Sequence, residues 1–237
     1  MKKRPRHRSN RPSPVFPIQV LYEDNHCLVV HKPAGMPVAG DASGDPNLLD
    51  LAKKYIKIKY QKPGKVYLGL VHRLDRPVSG VVFLARTSKA AARLFEQFRS
   101  GSVQKVYLAW VDGVLESSSG IVTDLIVKDS RRNVSRTTAA EETGAKAATL
   151  EYRLLKTSRG KSLLEIRPRT GRPHQIRVQL AARGTPIVGD VKYGARPSPT
   201  GRLALHAAEL TFRHPVRDES ITIRSPAPPD WEKRIRP

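Results

Sequence analysis

The apolar residues of this chain are gathered into short runs closed by turn residues, and that pattern restricts its fold more than any other feature. Cys27-Leu28-Val29-Val30, Gly80-Val81-Val82-Phe83-Leu84-Ala85 and Val106-Tyr107-Leu108-Ala109-Trp110-Val111 have the length and β-branched content of strands. Further strand-like stretches fall near 18–22, 121–127, 148–156, 162–167, 203–212 and 220–224. Glu23-Asp24-Asn25 and Asp112-Gly113 are turn signals beside them. Helical spacing occurs at 48–58 and again after Ser88, an expected N-cap, with Ala91, Leu94, Phe95 and Phe98 on one face and Gly101 as the stop. A third helix is expected from Pro173 to about 183, just before Gly184. Strands dominate and do not alternate regularly with helices, which argues against a doubly wound parallel sheet. The expectation is an α+β fold with a mixed, mainly antiparallel sheet and few helices. The polar segment 128–146 reads as a mobile surface excursion.

Charge narrows the partners. Lys and Arg number 43 against 21 acids, a formal net charge of +22 in 237 residues. A field of that size attracts polyanions, and phosphate neutralisation supplies most non-specific nucleic-acid affinity. The abundance of Arg fits phosphate contact and base stacking better than a generic excess of Lys. Residues 1–14 carry six Lys/Arg and no acid. They read as a disordered basic tail, either an arm on phosphates or a solubilising leader. Residues 15–237 read as one domain. A single cysteine, Cys27, excludes a disulfide framework and fits a reducing cytoplasm. No apolar stretch is long enough to span a membrane.

Three segments could carry chemistry. Val71-His72-Arg73-Leu74-Asp75-Arg76-Pro77-Val78-Ser79-Gly80 sets one carboxylate between two arginines in a loop that leads into a buried strand. On spacing alone, an Asp that caps a turn or sits in a structural ion pair is the commoner case. Arg167-Pro168-Arg169-Thr170-Gly171-Arg172-Pro173-His174-Gln175-Ile176-Arg177 forms a turn into a helix, with His174 and Arg177 on one face. Lys105 and Tyr107 share one face of a strand, where a Tyr is either a stacking platform or a half-buried strand aromatic. Zinc-ligand spacing, a phosphate-binding glycine fingerprint and a nucleophile elbow are all missing.

Together these residues resemble a known family. His72-Arg73-Leu74-Asp75 followed by Ser79-Gly80 resembles the central motif of RluA-type pseudouridine synthases. Lys32-Pro33-Ala34-Gly35 with Val38 is similar to that family's first motif, and Lys105-Val106-Tyr107 to its tyrosine-bearing strand. Thr170-Gly171-Arg172 through Arg177-Val178, with Gly189-Asp190 and Tyr193-Gly194, resembles its third motif. Leu203-Ala204-Leu205-His206-Ala207, with Leu210, Phe212, His214 and Pro215, resembles its C-terminal strand. The matches keep family order over nearly the whole globular part. Val78 stands where the family usually has Thr, and Gln179 where His is common, which puts substrate choice in question more than activity.

The resemblance implies the pseudouridine-synthase fold with a central active-site cleft. It implies an isomerase acting on uridines of structured RNA, ribosomal RNA first and transfer RNA as the alternative, by base flipping. Asp75 would be the catalytic aspartate, Tyr107 would stack on the flipped uracil, and Arg177 would pair with Asp75 and hold it ionised and oriented. Arg73 would help extrude the base. His72, Lys32, Arg172, His174 and His206 are expected to contact substrate. Isomerisation consumes no external nucleophile and changes no oxidation state, so neither cofactor nor metal is expected, and the chain is expected to act as a monomer. Two other readings, an idle RNA-binding protein and a basic DNA-binding protein, rest on the charge alone.

Deleting residues 1–14 is expected to flatten the salt dependence of RNA binding, the log–log slope falling by about 0.7 for each phosphate that the tail neutralises. Filter binding across a salt series measures it; an unchanged slope makes the tail a bystander.

Overall fold

The structure is a computed structural model that describes residues 18–115, 117–139 and 142–231. The basic tail expected at 1–14 lies outside the described residues. Eleven strands form one sheet: β1 (Gln19–Glu23), β2 (Cys27–Lys32), β3 (Gly69–Leu70), β4 (Ser79–Ala85), β5 (Gln104–Asp112), β6 (Ser119–Asp129), β7 (Val134–Thr138), β8 (Lys146–Ser158), β9 (Lys161–Pro168), β10 (Leu205–Arg213) and β11 (Ser220–Arg224). The order across the sheet is β1-β2-β4-β10-β5-β9-β8-β6-β7, with β11 on β10 and β3 on β4. Among these strands every pairing is antiparallel except β4 with β10. The helices are α1 (Leu48–Lys59), α2 (Ser88–Ser100) and α3 (Gln175–Ala181). The α+β expectation therefore holds. Among the described residues no helix is long and apolar enough to cross a membrane.

The continuous apolar run of β4 has a simple cause: both faces of the sheet are covered here. Val82 and Leu84 join Leu28 and Val30 of β2 and Leu48, Ala52 and Ile56 of α1 on one face. Val81 and Phe83 join Cys27 and Val29 with Ala90 and Leu94 of α2 on the other. Side chains alternate across a strand, so successive residues serve opposite cores. Farther along the sheet, Val178 of α3 packs on Ile126 and Ala148, while Ile176 and Leu180 reach the main core.

Local details differ from the sequence reading. Thr87, not Ser88, caps α2: its backbone is extended and its hydroxyl accepts the Ala90 N–H at 3.1 Å. Phe95 stays 58% exposed, because the packed stripe runs through Ala90 and Leu94 and leaves the next residue turned outward. The third helix begins at Gln175, two residues later than expected, because His174 has a left-handed backbone (φ 56°) that no helix can include. The expected excursion at 128–146 is in part a hairpin, since β7 folds back on β6. The Ser135 hydroxyl of that hairpin donates to the Pro173 carbonyl at 2.8 Å, and its N–H donates to the Tyr193 hydroxyl at 2.9 Å.

The parallel join of β4 and β10 depends on Gly80. It has φ 124°, and a Cβ there would lie 2.2 Å from the Ala207 carbonyl oxygen. Both the conformation and the space exclude a side chain. Gly80→Ala is expected to cost about 3 kcal/mol or more. Chemical denaturation measures it, and a loss under about 1 kcal/mol contradicts the steric argument.

Candidate active site

The loop between β3 and β4 carries Asp75, and three anchors fix it. The Val78 N–H donates to the Asp75 carbonyl at 3.0 Å, closing a tight turn. The Gly35 N–H donates to the Arg76 carbonyl at 2.8 Å, and the Lys32 ammonium donates to that same carbonyl at 3.0 Å. The Phe83 N–H donates to His72 Nε2 at 2.9 Å. Leu74 and Val78 enter the core on either side. The turn thus presents the Asp75 carboxylate, about one third exposed, at the floor of a cleft of about 1100 Å³.

Arg177 reaches that carboxylate from α3. Its Nε and Nη2 donate to the two oxygens of Asp190 at 2.8 and 2.7 Å, a fork-to-fork pair. Its remaining Nη1 donates to Asp75 Oδ2 at 3.1 Å. The guanidinium also lies 5.0 Å from the Tyr193 ring centroid. Burial works against its charge, but the bonds to Asp190 and the charges of both carboxylates outweigh that and raise its pKa. One arginine side chain is therefore clamped at one end so that the other points at Asp75. His174 completes the surroundings, with Nε2 3.8 Å from Asp75 Oδ2 and Nδ1 2.7 Å from the Tyr193 hydroxyl.

Tyr107 of β5 lines the same cleft, half-buried. Burial first, then the charge of Asp75, push its hydroxyl pKa up, so the phenol stays protonated. Arg73 is exposed on the cleft wall and has no hydrogen bond or ion pair with another described residue. Arg172 donates to the Ala147 carbonyl at 2.9 Å and borders the opening. His72 lines the cleft too, stacked on Phe98 at 4.6 Å. Its Nε2 is spent on the Phe83 amide, and burial, helped by Lys105, lowers its pKa to about 3. Its ring is therefore a neutral, fixed wall. Nine Lys/Arg and two Asp line the cleft as a whole.

Two expected substrate contacts lie elsewhere. Lys32 has no exposed surface. Its ammonium donates to the carbonyls of Pro33, Met36 and Arg76 at 3.1, 2.8 and 3.0 Å. Burial pulls its pKa down to about 7 while Asp75 pulls the other way, and three carbonyl acceptors match three ammonium protons. His206 is fully buried in β10. Its Nε2 faces the Ser225 carbonyl at 3.0 Å and its Nδ1 faces the Ser79 hydroxyl at 2.9 Å. Both residues brace the strand and loop behind Asp75. Val78 and Gln179, the two departures from the family pattern, also lie outside the cleft lining. Gln179 binds α3 to the sheet through Asp124 and the Ala148 carbonyl. Sequence reasoning gave no role to Asp190, Tyr193 or Ser135; Gly189-Asp190 and Tyr193-Gly194 stood in the third motif without a chemical partner in view.

Among the described residues, Asp24, Cys27 and His214 also bring ligand-type atoms together. They do not fit a metal. The Asp24 oxygens already accept from the His26 and Cys27 amides, Tyr22, His214 and Arg217. Burial opposes ionisation of Asp24, but these donors win and lower its pKa to about 2. Burial and Asp24 push the Cys27 thiol up, far from a thiolate.

Lys32→Met is expected to take a donor from three carbonyls, of which that of Arg76 keeps the Gly35 N–H, and to cost about 2–4 kcal/mol, with turnover falling as the Asp75 turn loosens. Thermal melting and an activity assay check it; a variant of unchanged stability removes Lys32 from the loop's support.

Known proteins resemble this chain in sequence and fold. A family model for RNA pseudouridylate synthase matches residues 26–182. Ribosomal large subunit pseudouridine synthase D of Xanthomonas campestris is 38% identical over 92% of this chain and 68% of its own length. An uncharacterised RNA pseudouridine synthase of Zymomonas mobilis is 36% identical over 91% of this chain and 96% of its own. The solved structure of human RNA pseudouridylate synthase domain containing 4 superposes with a TM-score of 0.77 at 26% identity, covering 92% of this chain and 91% of that one. With these matches spanning both halves of the cleft, the chain belongs to the RNA pseudouridylate synthase family.

Proposed function

We propose that this enzyme isomerises uridine in ribosomal RNA, with Asp75 as the reacting carboxylate. The observation that carries the reading is the part-exposed Asp75 carboxylate in a basic cleft, one oxygen held by Arg177 and the Tyr107 ring on the wall. Ribosomal RNA is favoured over transfer RNA because relatives such as the Xanthomonas protein are named for the large ribosomal subunit. The protein acts as a monomer in the cytoplasm, where its single buried thiol fits a reducing environment.

The reaction breaks the N1–C1′ bond, turns the uracil and joins C5 to C1′; C5 loses a proton and N1 gains one. A base inside a helix cannot reach Asp75, so it must leave the stack. Arg73, exposed and without a partner among the described residues, is free to occupy the space that the base vacates. Tyr107 offers a ring face for the extruded uracil. Lys105, Lys128, Arg172 and Lys192 border the cleft and meet phosphates, which position the strand without reading its sequence. Arg177 keeps the carboxylate aimed, so that less reorganisation is needed in the transition state.

Large-subunit ribosomal RNA transcribed with tritium at uracil C5 tests this reading. The wild type is expected to release tritium, and Asp75→Ala to release it at least about 10³-fold more slowly. Turnover by Asp75→Ala above a tenth of wild type ends the proposed role of Asp75. Release from transfer RNA alone moves the substrate to the alternative.

A further inference from the structure

Three groups are linked in a chain that ends at Asp75: the Ser135 amide, the Tyr193 hydroxyl and the His174 imidazole. The Ser135 N–H donates to Tyr193 Oη at 2.9 Å. Tyr193 has one proton, and the acceptor within reach is His174 Nδ1 at 2.7 Å. A phenol that accepts from the amide and donates to Nδ1 leaves the imidazole proton on Nε2. Nε2 is the atom that faces Asp75 Oδ2 at 3.8 Å, and it has no hydrogen-bond partner among the described residues.

His174 is brought there by its backbone. It sits at φ 56° immediately before α3, a left-handed conformation that costs a non-glycine residue about 1–2 kcal/mol. Strain of this kind persists where surrounding contacts fix it, often at functional sites. The His174 side chain is only 9% exposed and lies edge-on to Tyr193. Burial is the first influence on its protonation; Asp75 favours the charged ring, while Arg177, Lys192 and Lys128 oppose it, and the net direction is downward. A neutral ring with a fixed tautomer is the result.

We propose that His174 is a positioning residue for Asp75: its Nε2–H, set by the Tyr193 hydroxyl, closes onto Oδ2 beside Arg177 when RNA fills the cleft. Oδ2 is then held from two sides, and Oδ1, which accepts no hydrogen bond from another described residue, faces the ribose or base. The gap of 3.8 Å is too long for a hydrogen bond, and catalytic contacts of this kind tighten in a substrate complex. The inference rests on Asp75 being the reacting carboxylate.

The test uses the tritiated ribosomal transcript with full kinetics. His174→Phe is expected to lower kcat by about 10- to 100-fold, the value of one hydrogen bond to a charged group, with KM within about 3-fold of wild type. His174→Gln, whose Nε2 donates without titrating, is expected to recover kcat to within about 3-fold of wild type. Tyr193→Phe is expected to lower kcat in the wild type and to add nothing in the His174→Gln background, the signature of one linked chain. A His174→Gln variant as slow as His174→Phe overturns the proposal, as does a loss carried in KM or an additive Tyr193→Phe effect. Should His174→Phe melt early, the Gln variant and the Tyr193 cycle still decide. Loss of turnover in Asp75→Ala with normal kcat in His174→Phe rejects only the His174 proposal; turnover in Asp75→Ala rejects the reading beneath it.

Discussion

Arg177 stands between two carboxylates, and the geometry of the site depends on that bridge. Its guanidinium is 7% exposed and Asp190 is 1% exposed, so neither charge has water to rely on. A buried charge left without its partner costs about 3–5 kcal/mol. The fork-to-fork geometry satisfies Asp190 and fixes the plane of the guanidinium, and the third nitrogen then has one direction left. That direction is Asp75, 102 residues away in the chain. One side chain therefore both satisfies the buried Asp190 and fixes the direction of the contact to Asp75. Lys could not replace it, since a point charge has no fixed fork.

The Asp75 side of the bridge is held by groups behind and beside its turn. Lys32 gathers three carbonyls beneath the turn, and His72 receives the Phe83 amide at its entry. Ser79 and His206 join the start of β4 to β10 at its exit. Gly80 lets the two strands approach in parallel where any side chain would collide. A carboxylate on a loop is precise only when the loop is braced by packed elements, and here both faces of the sheet supply the packing. The basic cleft wall differs in kind: its charges act at range and need less exact placement than the hydrogen-bonded groups around Asp75.

Much of this was legible in the chain itself. Periodicity marked nearly every strand and all three helices, because alternation and helical spacing are local consequences of burying one face. The α+β class followed from the same pattern. Asp75 was visible as a carboxylate between arginines, and its place in an ordered set of motifs gave it a role that the loop alone did not. The β6–β7 hairpin was less legible. Its polar residues read as an excursion, because β7 is held by pairing with β6 and by contacts to Pro173 and Tyr193 rather than by an apolar face of its own.

The sequence by itself determined the elements, the charge and the candidate aspartate, since each depends on residue type and near neighbours. Only the tertiary structure decided who partners whom. It turned Lys32 and His206 from expected substrate contacts into buried braces, because desolvated donors must find acceptors wherever the fold places them. It supplied Asp190 as the second carboxylate on Arg177, and it swung His174 out of its expected helix toward Asp75. Several of those relations join residues far apart in the chain, Lys32 to Arg76, Arg177 to Asp75 and His206 to Ser79 among them, and they form only when the sheet brings β4, β5 and β10 together and sets α3 and the Asp190 loop against it.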